Sequence, residues 1–86
     1  MSREVPVQSV KKALDLLSVL AFEDLGRTGV SLTALARRMD MRANSAHNLL
    51  KTMVVCGYVA QTEAGTYRVG PRCVEMGRIN ALVNAA

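Results

Sequence analysis

The sequence predicts a mainly α-helical domain with one small β-hairpin, and three observations predict it. Apolar residues recur at spacings of three and four in several separate segments, the mark of amphipathic helices. Two short stretches separated by Glu63-Ala64-Gly65 have the form of a hairpin. The apolar palette is Leu, Val, Ala and Met with one Phe, two Tyr and no Trp, which suits packed helices better than a large sheet. At 86 residues there is room for one domain. A chain of this size buries only about 60–65% of its unfolded surface, so dimerisation would help it.

Residues 1–8 read as a flexible arm, with Pro6 marking extended backbone. Ser9 is the expected N-cap of a first helix running from Val10 to about Glu23. Val10, Ala13, Leu14, Leu17, Leu20 and Ala21 form its expected core stripe. Leu16, Val19 and Phe22 fall outside that stripe, and Val19 and Phe22 lie among Lys11, Asp15 and Ser18. Either the helix is wrapped by more core than expected, or these three residues form a second apolar face for dimerisation, which is the expectation adopted.

Gly26 and Gly29 make residues 25–30 a loop. Ser31 should cap a second helix from Leu32 to about Met39 that buries Leu32, Leu35, Ala36 and Met39. Asp40, Met41 and Arg42 make a short break before a third helix, Ala43 to about Cys56, which Gly57 ends in the left-handed conformation. Tyr58–Thr62 and Thr66–Val69 are the two strands of the hairpin. Pro71 opens a fourth helix with no C-terminal cap. The expected organisation is therefore an arm (1–8), a winged helix-turn-helix domain (9–70) made of a three-helix core and a two-stranded wing, and a fourth helix from Pro71 onward (71–86).

The net charge of +4 is unevenly placed. Between Leu25 and Thr62, Arg27, Arg37, Arg38, Arg42 and Lys51 face Asp40 alone, while six basic and six acidic residues balance elsewhere. Such a segment fits a surface that meets a polyanion or an ordinary solvated face. The third helix carries the more specific signal. Ala46, Leu49, Leu50, Met53 and Cys56 share one side; Asn44, His47, Asn48 and Lys51 share the other. Asn and His are indifferent helix formers, so something other than helix stability selects them. Asn can pair with the N6 and N7 edge of adenine, and His or Lys can donate to guanine. Base contacts are therefore expected from Asn44, His47 and Asn48, and phosphate contacts from Ser31, Arg42, Ser45 and Lys51. Arg37 and Arg38 fit phosphate contact and a solvated face equally.

Other classes of function lack their signals. Paired carboxylates, a nucleophile with a spaced base and a Gly-rich phosphate loop are all missing from the sequence, so an enzyme is not expected. One His and two unclustered cysteines predict no metal and no cofactor, with Cys56 and Cys73 as small buried hydrophobes. No run approaches the ~18 apolar residues of a membrane span, and reduced thiols fit a cytoplasmic setting. Aromatics make up 3% of the chain, too few to stack single-stranded RNA.

The ordered segments also resemble a family, the IclR type of bacterial transcriptional regulators. The resemblance rests on Val7-Gln8-Ser9-Val10 with Ala13-Leu14-Asp15-Leu16-Leu17, and on Ser31-Leu32-Thr33 with Leu35-Ala36-Arg37-Arg38. It continues through Ser45-Ala46-His47 with Leu49-Leu50, Gly57-Tyr58-Val59, and Tyr67-Arg68-Val69-Gly70-Pro71-Arg72 with Glu75-Met76-Gly77. This resemblance implies a dimer on a palindromic double-stranded DNA operator, the third helix in the major groove and wing contacts near Gly65 and Arg68. It also implies a longer regulator whose C-terminal part binds a small-molecule effector, with residues 71–86 as the start of a linker helix toward that part. The chain departs from the family pattern at Arg42-Ala43-Asn44-Ser45, where Pro-Lys-Ser-Thr is common. Asn48 stands for a usual Arg, Asp40 for a usual Gly, and Val54-Val55-Cys56 for a more acidic run. The alternative reading is a winged-helix dimerisation module without DNA binding, as at the front of some small-molecule methyltransferases.

Overall fold

The computed structural model describes residues 4–84. Met1–Arg3 of the expected arm and the last two residues of the expected linker helix lie outside them. The order is α1 (Gln8–Phe22), α2 (Leu32–Arg38), α3 (Ala43–Cys56), β1 (Val59–Gln61), β2 (Tyr67–Val69) and α4 (Pro71–Asn84). This is the mainly helical winged helix-turn-helix arrangement that the sequence predicts.

Helix α1 starts earlier than its side chains indicate. Val7, in extended conformation, is the N-cap, and no side chain caps the helix. The carbonyl of Val7 accepts from the Lys11 amide at 3.3 Å, so Ser9 lies within the first turn and does not cap it. At the other end, Arg27 holds a left-handed φ of 55° and donates from Nη1 to the carbonyls of Leu20 and Ala21, both at 3.1 Å. A cation there satisfies open carbonyls and complements the negative end of the helix dipole.

The core is built from Leu16, Val19 and Leu20 of α1, Leu35 of α2, Leu50 and Met53 of α3, Val59 of β1 and Tyr67 of β2. The expected stripe on α1 is therefore corrected. Leu16 is 0% and Val19 8% exposed, whereas Val10 and Leu14 are 54% and 57% exposed. Ala13 and Leu17 are half-buried between the two stripes. A helix with apolar residues on most of its circumference satisfies more than one stripe, and only its packing against α3 and β2 selects the inner one. Leu16 and Val19 thus leave the expected dimer face, and only Phe22 of the three is exposed, at 74%.

Helix α2 is capped as expected: Ser31 Oγ accepts from the Ala34 amide at 3.1 Å. Its end closes by two bonds, Asp40 N–H to Arg37 O at 3.2 Å and Met41 N–H to Ala36 O at 2.9 Å. Helix α3 ends by the same pair of bonds, Gly57 N–H to Val54 O and Tyr58 N–H to Met53 O, both at 3.0 Å. This closure requires a left-handed residue, supplied by Gly57 at φ 89° and by Asp40 at φ 51°. Asp tolerates that region better than most residues with a Cβ.

Strands β1 and β2 pair antiparallel, with Val59 opposite Val69 and Gln61 opposite Tyr67. The turn closes with Thr62 N–H to Thr66 O at 2.8 Å. Residues 25–30 are not wholly loop, because Val30 bridges Tyr67 through bonds of 2.7 and 2.8 Å on the outer edge of β2. A single bridging residue carries no alternation, so sequence pattern cannot show it.

Gly70, between β2 and α4, has no space for a side chain. A Cβ there would meet Gly57 O at 2.6 Å and Val59 N at 2.7 Å. Gly70→Ala is expected to lower stability by about 1–3 kcal/mol, since backbone must shift to admit the methyl group. At Asp40, replacement by Gly should raise stability slightly, and by Val lower it by about 1–2 kcal/mol, because of the left-handed backbone. Urea midpoints at constant slope check both.

Candidate nucleic-acid interface

Helix α3 is fixed in rotation by what it buries. Ala46 and Leu50 are 0% and Met53 9% exposed, and Leu49 is half-buried against the core. With 3.6 residues per turn, this leaves Asn44, Ser45, His47, Asn48 and Lys51 exposed. All four residues expected on the outer face are brought together there. The inner face is one residue shorter than expected, because Cys56 is exposed in the last turn. The N-cap of the helix is Arg42, which is extended and provides no side-chain hydrogen bond, and the first turn contains no acid.

Ser31 is exposed at the start of α2. Its oxygen accepts the capping bond, which leaves the hydroxyl proton free to be donated outward. Arg37 and Arg42 line one shallow hollow with Ala36, Asp40 and Met41, at the turn between α2 and α3. Arg68 is exposed on the outward side of β2, opposite Ala60. It therefore lies on the strand itself rather than at the Gly65 turn.

Ion pairing divides the cations into two groups. Arg38 makes a two-bond contact with Glu23, at 3.1 and 2.9 Å. That hydrogen bond and charge raise its pKa and dock the end of α2 on the end of α1. Arg27 caps α1, and the Arg72 guanidinium sits over the Tyr58 ring at 6.0 Å. Among the described residues, the remaining ion pairs are Lys11–Asp15 and Glu75–Arg78. Arg37, Arg42, Lys51 and Arg68 take part in none of them. The internal roles of Arg27, Arg38 and Arg72 depend on the folded path of the chain, and no sequence spacing announces them. Of the two residues left open by sequence, Arg38 is engaged within the domain and Arg37 is not.

A groove of about 540 Å³ runs between α1, the end of α3 and the start of α4, lined by residues including Leu14, Leu17, Met53, Cys56 and Met76. Cys73, half-buried beside it, donates its S–H to Tyr58 O at 3.2 Å. Neither cysteine is fully buried, contrary to expectation, because both line the open groove between α3 and α4. Among the described residues, no helix is long and apolar enough to cross a membrane, and no three His, Cys, Asp or Glu gather as metal ligands would.

A helical core that buries one side of its third helix, leaves the other side polar and exposed, and adds an antiparallel wing is a helix-turn-helix DNA-binding domain. Residues 9–63 match the IclR helix-turn-helix domain, and the chain belongs to that family. Two curated relatives are similar to it. One is the HTH-type transcriptional regulator XynR of Escherichia coli, 35% identical over 72 residues, which covers 83% of this chain and 27% of the relative. The other is the HTH-type transcriptional regulator BhcR of Paracoccus denitrificans, 32% identical over 73 residues, which covers 83% and 24%. The crystal structure of Pseudomonas aeruginosa HmgR superposes with a TM-score of 0.72 at 28% identity, covering 83% of this chain and 30% of that one. The chain thus spans about a quarter of the length of the curated relatives it matches. It is a DNA-binding regulatory domain.

Burial pushes the Cys73 thiol pKa up, and thiolate is the reactive form. Iodoacetamide at mildly alkaline pH should therefore modify exposed Cys56 well ahead of Cys73, with the order read by peptide mass spectrometry. Comparable rates at both would mean that α4 does not stay seated at its base.

Proposed function

We propose that this domain reads a specific double-stranded DNA sequence through the outward face of α3. Asn44, His47 and Asn48 contact base edges in the major groove, while Ser31, Arg42, Ser45, Lys51 and Arg68 contact phosphates. The observation that carries this reading is the exposure of Asn44, His47, Asn48 and Lys51 on one side of a helix whose other side is buried. Asn offers adenine a donor and an acceptor together, and each good base contact supplies about 1–3 kcal/mol of discrimination. Positive side chains around α3 that take no part in the ion pairs among the described residues support the phosphate contacts, since pairing with DNA breaks none of those pairs.

The domain works as a homodimer on a palindromic operator, within a longer cytoplasmic regulator that answers to a small-molecule effector held by another part. The family and the naming of its relatives as transcriptional regulators support this. The burial of Leu16 and Val19 moves the apolar surface available for pairing. Val10 and Leu14 on α1, and Met76 and Ile79 on α4, are the exposed residues that suit it better.

Fluorescence anisotropy with a duplex selected from a random pool tests the reading. Replacing Asn44, His47 and Asn48 together with Ala should abolish preference for the selected duplex while the salt-dependent, sequence-independent binding remains. Three cations per chain, Arg42, Lys51 and Arg68, predict a slope of log affinity against log salt of roughly −5 for a dimer, and each Ala replacement among them should flatten it by about 2. A flat salt dependence would falsify the reading. So would a triple variant that discriminates as the parent does.

A further inference from the structure

Helix α4 is held in an unusual way. From Pro71 to Val83 no residue is buried, and only Cys73 is half-buried. Val74, Met76, Ile79, Leu82 and Val83 are all exposed. Its direction is therefore not set by a packed side, which is what orients most helices. It is set at the base. The Arg72 amide donates to Gly57 O at 3.0 Å and the Gly70 amide to Tyr58 O at 2.8 Å. The Cys73 thiol donates to the same Tyr58 carbonyl at 3.2 Å.

One side chain completes the joint. The stem of Arg72 lies against Gly57, with Cγ 3.2 Å from where a Cβ on that glycine would be. Its guanidinium stands over the Tyr58 ring at 6.0 Å, within the range of a cation–π contact. Gly57 closes α3, so Arg72 spans the end of the reading helix and the start of α4 with no other element between them.

We infer that Arg72 is a positioning residue for DNA recognition: through Gly57 and Tyr58 it holds α4 at a fixed angle to α3. The inference rests on the DNA reading above and goes beyond it. In a dimer whose α4 helices lead away from the two domains, that angle sets the separation and mutual orientation of the two α3 helices. Arg72 touches no DNA; it governs which spacing of half-sites two domains can occupy together.

Two measurements on the 86-residue protein test this. Residual dipolar couplings of amides from Val74 to Leu82 should fit the orientation defined by α1–α3 in the parent chain. In Arg72→Ala they should shrink by about twofold or more, as α4 swings on a faster timescale, while couplings within α1–α3 stay unchanged. Tyr58→Leu, which removes the ring from the opposite end of the same contact, should behave alike and serves if the first variant does not fold. Selection from duplexes carrying paired half-sites at varied separations should then give one preferred spacing for the parent. Arg72→Ala should keep the half-site sequence but accept several spacings. An α4 that stays aligned in both variants overturns the inference, as does a loosened α4 with an unchanged spacing preference. A parent chain that selects no half-site at all sinks the DNA reading instead, and the claim about spacing with it; the couplings still judge the joint.

Discussion

The burial of Leu50 among Leu16, Leu20 and Leu35 is the constraint on which the rest of the domain depends. Leu50 is fully enclosed, and burying a leucine contributes about 1.5–3 kcal/mol relative to exposure. Once it points inward, Ala46 and Met53 follow by helical geometry. Asn44, His47, Asn48 and Lys51 have no direction left but outward. A polar face in a folded protein is ordinarily filled with residues that favour helix. Here the core fixes the rotation so firmly that α3 can carry two asparagines and a histidine on that face without losing its place.

The same economy governs charge. Within the basic segment, the arginines divide by the work the fold requires of them. Arg27 ends α1, and Arg38 ties α2 to α1 through Glu23. Arg42 and Lys51 remain outside the internal ion pairs. A count of charges along the chain therefore overstates the charge available to a polyanion. The available part is concentrated around α3 and the turn before it, where a phosphate backbone could follow it.

Two left-handed residues frame this arrangement. Asp40 closes α2 just before α3, and Gly57 closes α3 itself, by the same pair of backbone bonds. Asp40 supplies at one end what glycine supplies at the other. Asp40 also lines the hollow with Arg37 and Arg42, and its negative charge makes the turn less positive than the arginines alone would make it.

The sequence by itself determined the class of fold, the order of elements and the face of α3 that meets solvent. These follow from local rules: period, caps and turn residues act within a few positions of one another. Ser31 as the cap of α2 and Gly57 as the end of α3 are legible for that reason, and so are the exposed Asn44, His47 and Asn48. Only the tertiary structure decided which stripe of α1 is buried. An apolar residue can serve a core or a partner equally well, and the choice of Leu16 and Val19 over Val10 and Leu14 depends on α3 and β2, far along the chain. The tertiary structure likewise decided that Val30 pairs with Tyr67, that Arg27, Arg38 and Arg72 are engaged internally, and that Cys56 is exposed. Each depends on how separate elements come together, and no pattern read along one segment encodes it.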